Sequence, residues 1–132
     1  MMIDKKIPKE LGMIKGERWN EYYADLDIPN TWTNVSYGND ALPSFLSEKD
    51  EHKAYQVWVD SFNKKERAIN SKDIYGLDTL APRFHVSLCY GENDLFSSNN
   101  FDEVVKWIKE NPKTKTEIEL TKKYIWIMKC KA

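Results

Sequence analysis

The stretch "HKAYQVWVDS", residues 52–61, decides the fold. Tyr55, Val57 and Val59 alternate with Gln56, Trp58 and Asp60, the period of two that sends successive side chains to opposite faces of a strand. Its β-branched and aromatic content suits a pleated surface with one apolar face. A second run of this kind, "RFHVSLCYG" at 83–91, sets Phe84, Val86, Leu88 and Tyr90 against Arg83, His85, Ser87 and Cys89. Strands that follow one another without regular helical crossovers argue for an antiparallel sheet.

Working outward, "TWTNVSYGNDALPSFLSE" (31–48) reads as extended segments joined by a turn at Gly38-Asn39-Asp40. Upstream, "KGERWNEYYADL" (15–26) places Trp19, Tyr22, Tyr23 and Leu26 at helical spacing, which predicts a helix near 16–26. "NNFDEVVKWIKENP" (99–112) predicts the main helix near 101–110. Asn100 caps it, Glu103 completes a capping box, Phe101, Val104, Val105 and Ile108 form its apolar stripe, and Pro112 follows its end. "NKKERAINSKDIYGLDTLAP" (63–82) is polar and turn-rich and reads as a connection with a short structured piece. "TEIELT" and "YIWIMKC" alternate on either side of Lys122-Lys123, which predicts a closing hairpin near 116–130, with one long bulged strand as the competing reading. The expectation is one α+β domain over residues 1–132. It consists of an antiparallel sheet of about four to six strands with one or two helices packed on one face.

The composition agrees with a folded protein. Of 132 residues, 41% are apolar and 13% aromatic, far from the signature of disorder. Five tryptophans and seven tyrosines exceed what a core of this size needs, so some are free to form a recognition surface. No stretch approaches the roughly 18–20 apolar residues of a membrane span. The N-terminus carries no secretory h-region, so a cytoplasmic location is expected. Cys89 and Cys130 lie in strand-like runs and read as two buried thiols.

Net charge is −1 but unevenly spread. From Trp19 to Asp60, eight acids face two bases, Lys49 and Lys53. That segment does not suit direct nucleic-acid binding, whose footprint is basic. After Pro112 lysines dominate, as on a solvated strand. The motifs that hold dinucleotides, nucleotide phosphates or zinc are absent, so neither a cofactor nor a metal is expected. "YGND" (37–40), "YGLD" (75–78) and "YGEND" (90–94) read as three turns in which glycine supplies the positive φ.

One tetrad, His85-Val86-Ser87-Leu88, resembles the two-histidine phosphoesterases, whose paired His-x-Ser/Thr motifs supply acid, base and phosphate-holding hydroxyls. The resemblance implies His85 and Ser87 as catalytic residues. A histidine suits the role because its ordinary pKa of about 6.5 permits either protonation state near neutrality. The second motif is missing: the other histidine is His52, in "HKAY", where Ala54 stands in the hydroxyl position.

Residues 32–108 are also similar to a group of small, uncharacterised bacterial and phage-associated proteins. The residues that carry the likeness are Trp32, Asn39-Asp40-Ala41-Leu42-Pro43-Ser44, Gln56 to Asp60, Arg83 to Val86, and Phe101 to Ile108. Val35 to Gly38 are inserted relative to that pattern. The likeness implies no activity. The reading that follows is a small, non-catalytic protein that binds or inhibits a protein partner with a basic surface. Its binding residues would be Trp32 and Trp58, forming an aromatic floor beside Asp40. Two alternatives stay open: a phosphodiester- or nucleotide-processing enzyme centred on His85 and Ser87, and a module that stacks a small ligand between aromatic rings.

Overall fold

The computed structural model describes residues 19, 21–37, 40–91 and 93–131. Five antiparallel strands form an open sheet in simple sequential order: β1 (Thr33–Asn34), β2 (Ser44–Leu46), β3 (Tyr55–Val59), β4 (Phe84–Leu88) and β5 (Phe96–Ser98). Among the described residues, three helices with both ends in view accompany them: α1 (Lys64–Tyr75) between β3 and β4, then α2 (Phe101–Glu110) and α3 (Lys115–Lys131) after β5. The fold is α+β, as the alternation of 52–61 and 83–91 requires. The strand β5 carries too short an alternation, "FSS", to stand out in the sequence.

Register places the apolar halves of the strands together. Val57 lies opposite Phe45 on one side and Val86 on the other, and Phe84 lies opposite Val59. Phe45, Tyr55, Val57, Val59, Phe84, Val86 and Leu88 form one buried face with Val104 of α2. Trp107 of α2 adds to this face, stacking on Phe96 at 5.3 Å and meeting Tyr55 at 5.2 Å. The other face carries Ser44, Gln56, Trp58, His85 and Ser87. A second small cluster of Trp19, Tyr22 and Leu42 packs beside Trp58 there.

Asn100 caps α2 as its sequence implies, its Oδ1 accepting from the backbone N–H of Asp102 and Glu103. The capping box is relayed rather than direct. Asn100 N–H donates to Ser98 Oγ, and that hydroxyl donates to Glu103 Oε1 at 2.7 Å. The helical residues at 19 and 21–23 give way to a turn at 24–25, so the first helix ends earlier than its spacing suggests. Its start lies outside the described residues.

Two segments differ from the sequence expectation. Residues 63–82 hold a full helix, α1, where a polar connection was expected. The helix carries almost no apolar stripe and is anchored by polar contacts. Arg67 Nη1 donates to Ser61 O, Asn70 Nδ2 donates to Asp60 Oδ1, and Ser71 Oγ accepts from Ala81 N–H. The expected hairpin near 116–130 is instead the single helix α3. Thr114 and Glu117 close a reciprocal capping box at its start, each side chain accepting from the other's backbone N–H. Ile118, Thr121 and Ile125 then fall on its inner face, while Trp126 is exposed. Tertiary packing has overridden a strand-like alternation.

Candidate functional site

The sheet face opposite the main core forms the floor of a trough. One lobe, of about 620 Å³, is lined by Tyr37, Asp40, Glu51, Gln56, Trp58 and Tyr90, with Met128 of α3 at its rim. A second lobe, of about 270 Å³, continues past Trp58 to Tyr75, His85, Ser87 and Asp94. Asp40, Trp58 and Gly91 line both lobes, so Trp58 stands at the centre.

Strand alternation puts Trp58 here. Its Cα partners are Ser44 and His85, and its indole Nε1–H donates to Ser87 Oγ at 3.3 Å. Asp40 arrives on the β1–β2 loop, where its N–H donates to Tyr37 O and closes a turn. Pro43 and Ser44 then lock the chain into the sheet. Pro43 O accepts from Val59 N–H, and Ser44 Oγ accepts from Gln56 Nε2. Glu51 comes from the β2–β3 turn.

Tyr90 reaches the trough at some conformational expense. It is a non-glycine residue at φ 60°, and its ring is half exposed. The "YG" turn at 90–91 therefore places the left-handed angle on the tyrosine rather than the glycine. At 75–76 the ordinary arrangement holds: Gly76, at φ 69°, ends α1. A left-handed L-residue costs about 1 kcal/mol, so the position is held by its surroundings. Tyr90 N–H donates to Gln56 Oε1, and Gly91 N–H donates to Leu88 O.

The electrostatics are one-sided. Asp40, Glu51 and Asp94 line the trough, and no Lys or Arg does so among the described residues. Burial pushes the Asp40 carboxyl above the usual range. Burial also raises the Tyr90 hydroxyl, and the nearby Glu51 and Asp40 raise it further. Tyr75 is pushed up to about 12 by burial, with Asp94 and Asp60 adding to it. A shallow groove of about 630 Å³ beside α2 has no such bias. Lys106 and Lys109 stand among its acids Asp27, Asp102 and Glu110, and its Asp25 is already bound to Arg83.

The residues expected to bind are only partly brought together. Trp58 and Asp40 share the trough. Trp32 lies on the opposite face of the sheet, packed against Phe45 and edge-on to Phe101 at 5.5 Å. A floor made of both tryptophans does not form, because β1 and β2 turn Trp32 toward α2. Tyr37 and Tyr90 take the place expected of Trp32. Only the unusual number of tyrosines hinted at them.

His85 and Ser87 are both at the second lobe and both are engaged. His85 Nε2–H donates to Pro82 O at 2.8 Å, its Nδ1 lies 2.7 Å from Asp94 Oδ2, and its ring stacks on Tyr75 at 5.1 Å. Ser87 Oγ donates to Leu88 O. The other histidine, His52, sits on a turn beside Asp50 and lines neither lobe. His52 and His85 do not converge, so the paired arrangement of the two-histidine phosphoesterases is not formed.

The acids of residues 19–60 do not make one surface. Asp40 and Glu51 enter the trough, Asp25 pairs with Arg83, and Asp60 is fully buried. The cysteines also separate. Cys89 is a buried thiol donating toward Glu51 O and Ala54 O, whereas Cys130, expected to be buried in a strand, is exposed on α3. No group of three or more metal-ligating side chains converges among the described residues. No described helix is long and apolar enough to cross a membrane. No protein-family model matches the chain, and no curated protein or solved structure matches it.

Proposed function

We propose that this protein is a non-catalytic binding protein that docks a basic surface of a partner protein into the Trp58 trough. The observation that supports it is the pairing of three carboxylates with the rings of Trp58, Tyr37, Tyr75 and Tyr90, with no lysine or arginine among the described residues that line the trough. Aromatic side chains in a partly enclosed site supply most of the energy at protein interfaces, and clustered charge steers the encounter. His85 and Ser87 both hydrogen-bond within the fold, His85 to Pro82 O and Asp94 and Ser87 to Leu88 O.

Affinity capture from lysate of the cells that carry the protein tests this, using wild type beside Tyr90→Gly and Trp58→Ala. A partner retained at low salt should be lost at about 0.5 M salt, where the Debye length shrinks to a few Å. Trp58→Ala should weaken the complex about thirtyfold. Tyr90→Gly should weaken it while raising thermal stability, because glycine relieves the left-handed strain. Undiminished capture by both variants would sink the reading.

A further inference from the structure

We infer that the group the trough receives is a guanidinium: an arginine side chain of the partner, lying against the rings of Trp58 and Tyr90 and bonded to Asp40 and Glu51. This rests on the docking reading and names the chemistry of its central contact.

The argument starts from hydrogen-bonding capacity. Several of the donors that line the trough are already used within the fold. Trp58 Nε1–H is given to Ser87, Gln56 Nε2–H to Ser44, Tyr90 N–H to Gln56 Oε1, and the Cys89 thiol to backbone carbonyls. The carboxylates of Asp40 and Glu51 add acceptor capacity, Asp40 also accepting from the Tyr37 backbone. Such a site calls for a ligand that only donates. Guanidinium offers five N–H donors and no acceptor, and an ammonium offers three.

Shape separates the two cations. Asp40 and Glu51 come from different turns, and the lobe between them measures about 620 Å³. A compact ammonium is a point charge that keeps its water tightly. A guanidinium is flat and weakly hydrated, so it lies on aromatic faces and reaches outward to carboxylates at its edges.

The chain builds the same arrangement once for itself. Arg83 lies 4.9 Å over the Phe84 ring and forks onto Asp25 with two bonds of 2.7 and 2.8 Å. In the trough the rings and the carboxylates are present and the cation is left to a partner.

The test is titration of 15N-labelled protein with N-acetyl-arginine methylamide, N-acetyl-lysine methylamide and tetramethylammonium. The indole N–H of Trp58, assigned through Trp58→Phe, and the amide of Tyr90 are followed by NMR. The arginine amide should bind at least about fivefold tighter than either of the others. Asp40→Asn and Glu51→Gln should each weaken it about fivefold or more while leaving the spectrum folded. Equal or tighter binding of the lysine amide or of tetramethylammonium overturns the guanidinium assignment, as does a Trp58 signal that responds to none of the three. The docking reading is judged separately, by whether Tyr90→Gly and Trp58→Ala both still capture the partner undiminished.

Discussion

Arg83 holds Asp25 through both terminal nitrogens of its guanidinium and, through Nε, also bonds the Asp60 carbonyl. A fourth bond runs from Nη2 to the Tyr22 carbonyl. One buried side chain thus ties the N-terminal helical residues and the end of β3 to the start of β4. Arg83→Lys keeps the charge but cannot reproduce the fork, so urea unfolding should show a loss of about 2–3 kcal/mol. A loss below about 0.5 kcal/mol would show that the tie carries no stability.

The same contact sets an acid response. Hydrogen bonds from Arg83 hold the Asp25 carboxyl below its usual range. Its contribution is therefore complete above the unfolded value of about 3.9 and fades as pH falls through the folded value. The Asp25 side chain is 41% exposed, so this share is under about 1 kcal/mol. Wild type should lose stability faster than Asp25→Asn below about pH 4, and identical acid limbs would refute the linkage.

Asp60 works in the opposite sense. It is fully buried, its Oδ1 accepts from Ser61 N–H and Asn70 Nδ2, and its Oδ2 meets no donor among the described residues. Burial pushes its carboxyl up. A raised acid stabilises the fold below its unfolded pKa, and that contribution is lost as pH rises through the folded one. Asp60→Asn keeps the Oδ1 acceptor without the charge. As pH rises from about 4, wild type should therefore lose stability relative to the variant, read by chemical unfolding. Parallel pH curves would contradict it.

Helix ends make a third group of expectations. Thr114→Ala should cost about 1 kcal/mol by breaking the box that starts α3. Glu117→Ala should cost a similar amount, and the double variant should cost less than the sum, because each side chain serves the other's backbone. Gly76→Ala forces a Cβ into a left-handed position and should cost about 1 kcal/mol. Thermal melts of the four proteins check these directly.

The two thiols should differ sharply in reactivity. Burial pushes Cys89 up to about 11, and its Sγ is turned into the fold, while Cys130 is exposed. A thiol reagent at neutral pH should label Cys130 promptly and Cys89 only on unfolding. Rapid labelling of both in the native state would contradict the burial of Cys89.

Much of the missed structure was still present as local signals. Asn63-x-x-Glu66, Asn100-x-x-Glu103 and Thr114-x-x-Glu117 all have the form of helix starts, and all three are N-capped in the structure. Only the middle one was backed by an apolar stripe. The first opens α1, whose inner face is Arg67, Asn70 and Ser71, so hydrophobic periodicity had nothing to report. The third opens α3, where Ile118, Leu120, Tyr124, Trp126 and Met128 alternate like a strand although the chain coils.

The sequence by itself determined the antiparallel α+β class and the two faces of β3 and β4, because a period of two leaves no choice about which side chains share a face. It also determined that His85 and Ser87 would lie together and that Trp58 would oppose the core. Tertiary structure alone decided the neighbours of that second face. Tyr37 and Asp40, Glu51, and Tyr90 come from three separate places along the chain, and only loop closure and sheet register bring them around Trp58. It also decided the fate of Trp32, since a loop residue has no periodicity to assign it a side, and the packing of α2 drew it to the core face.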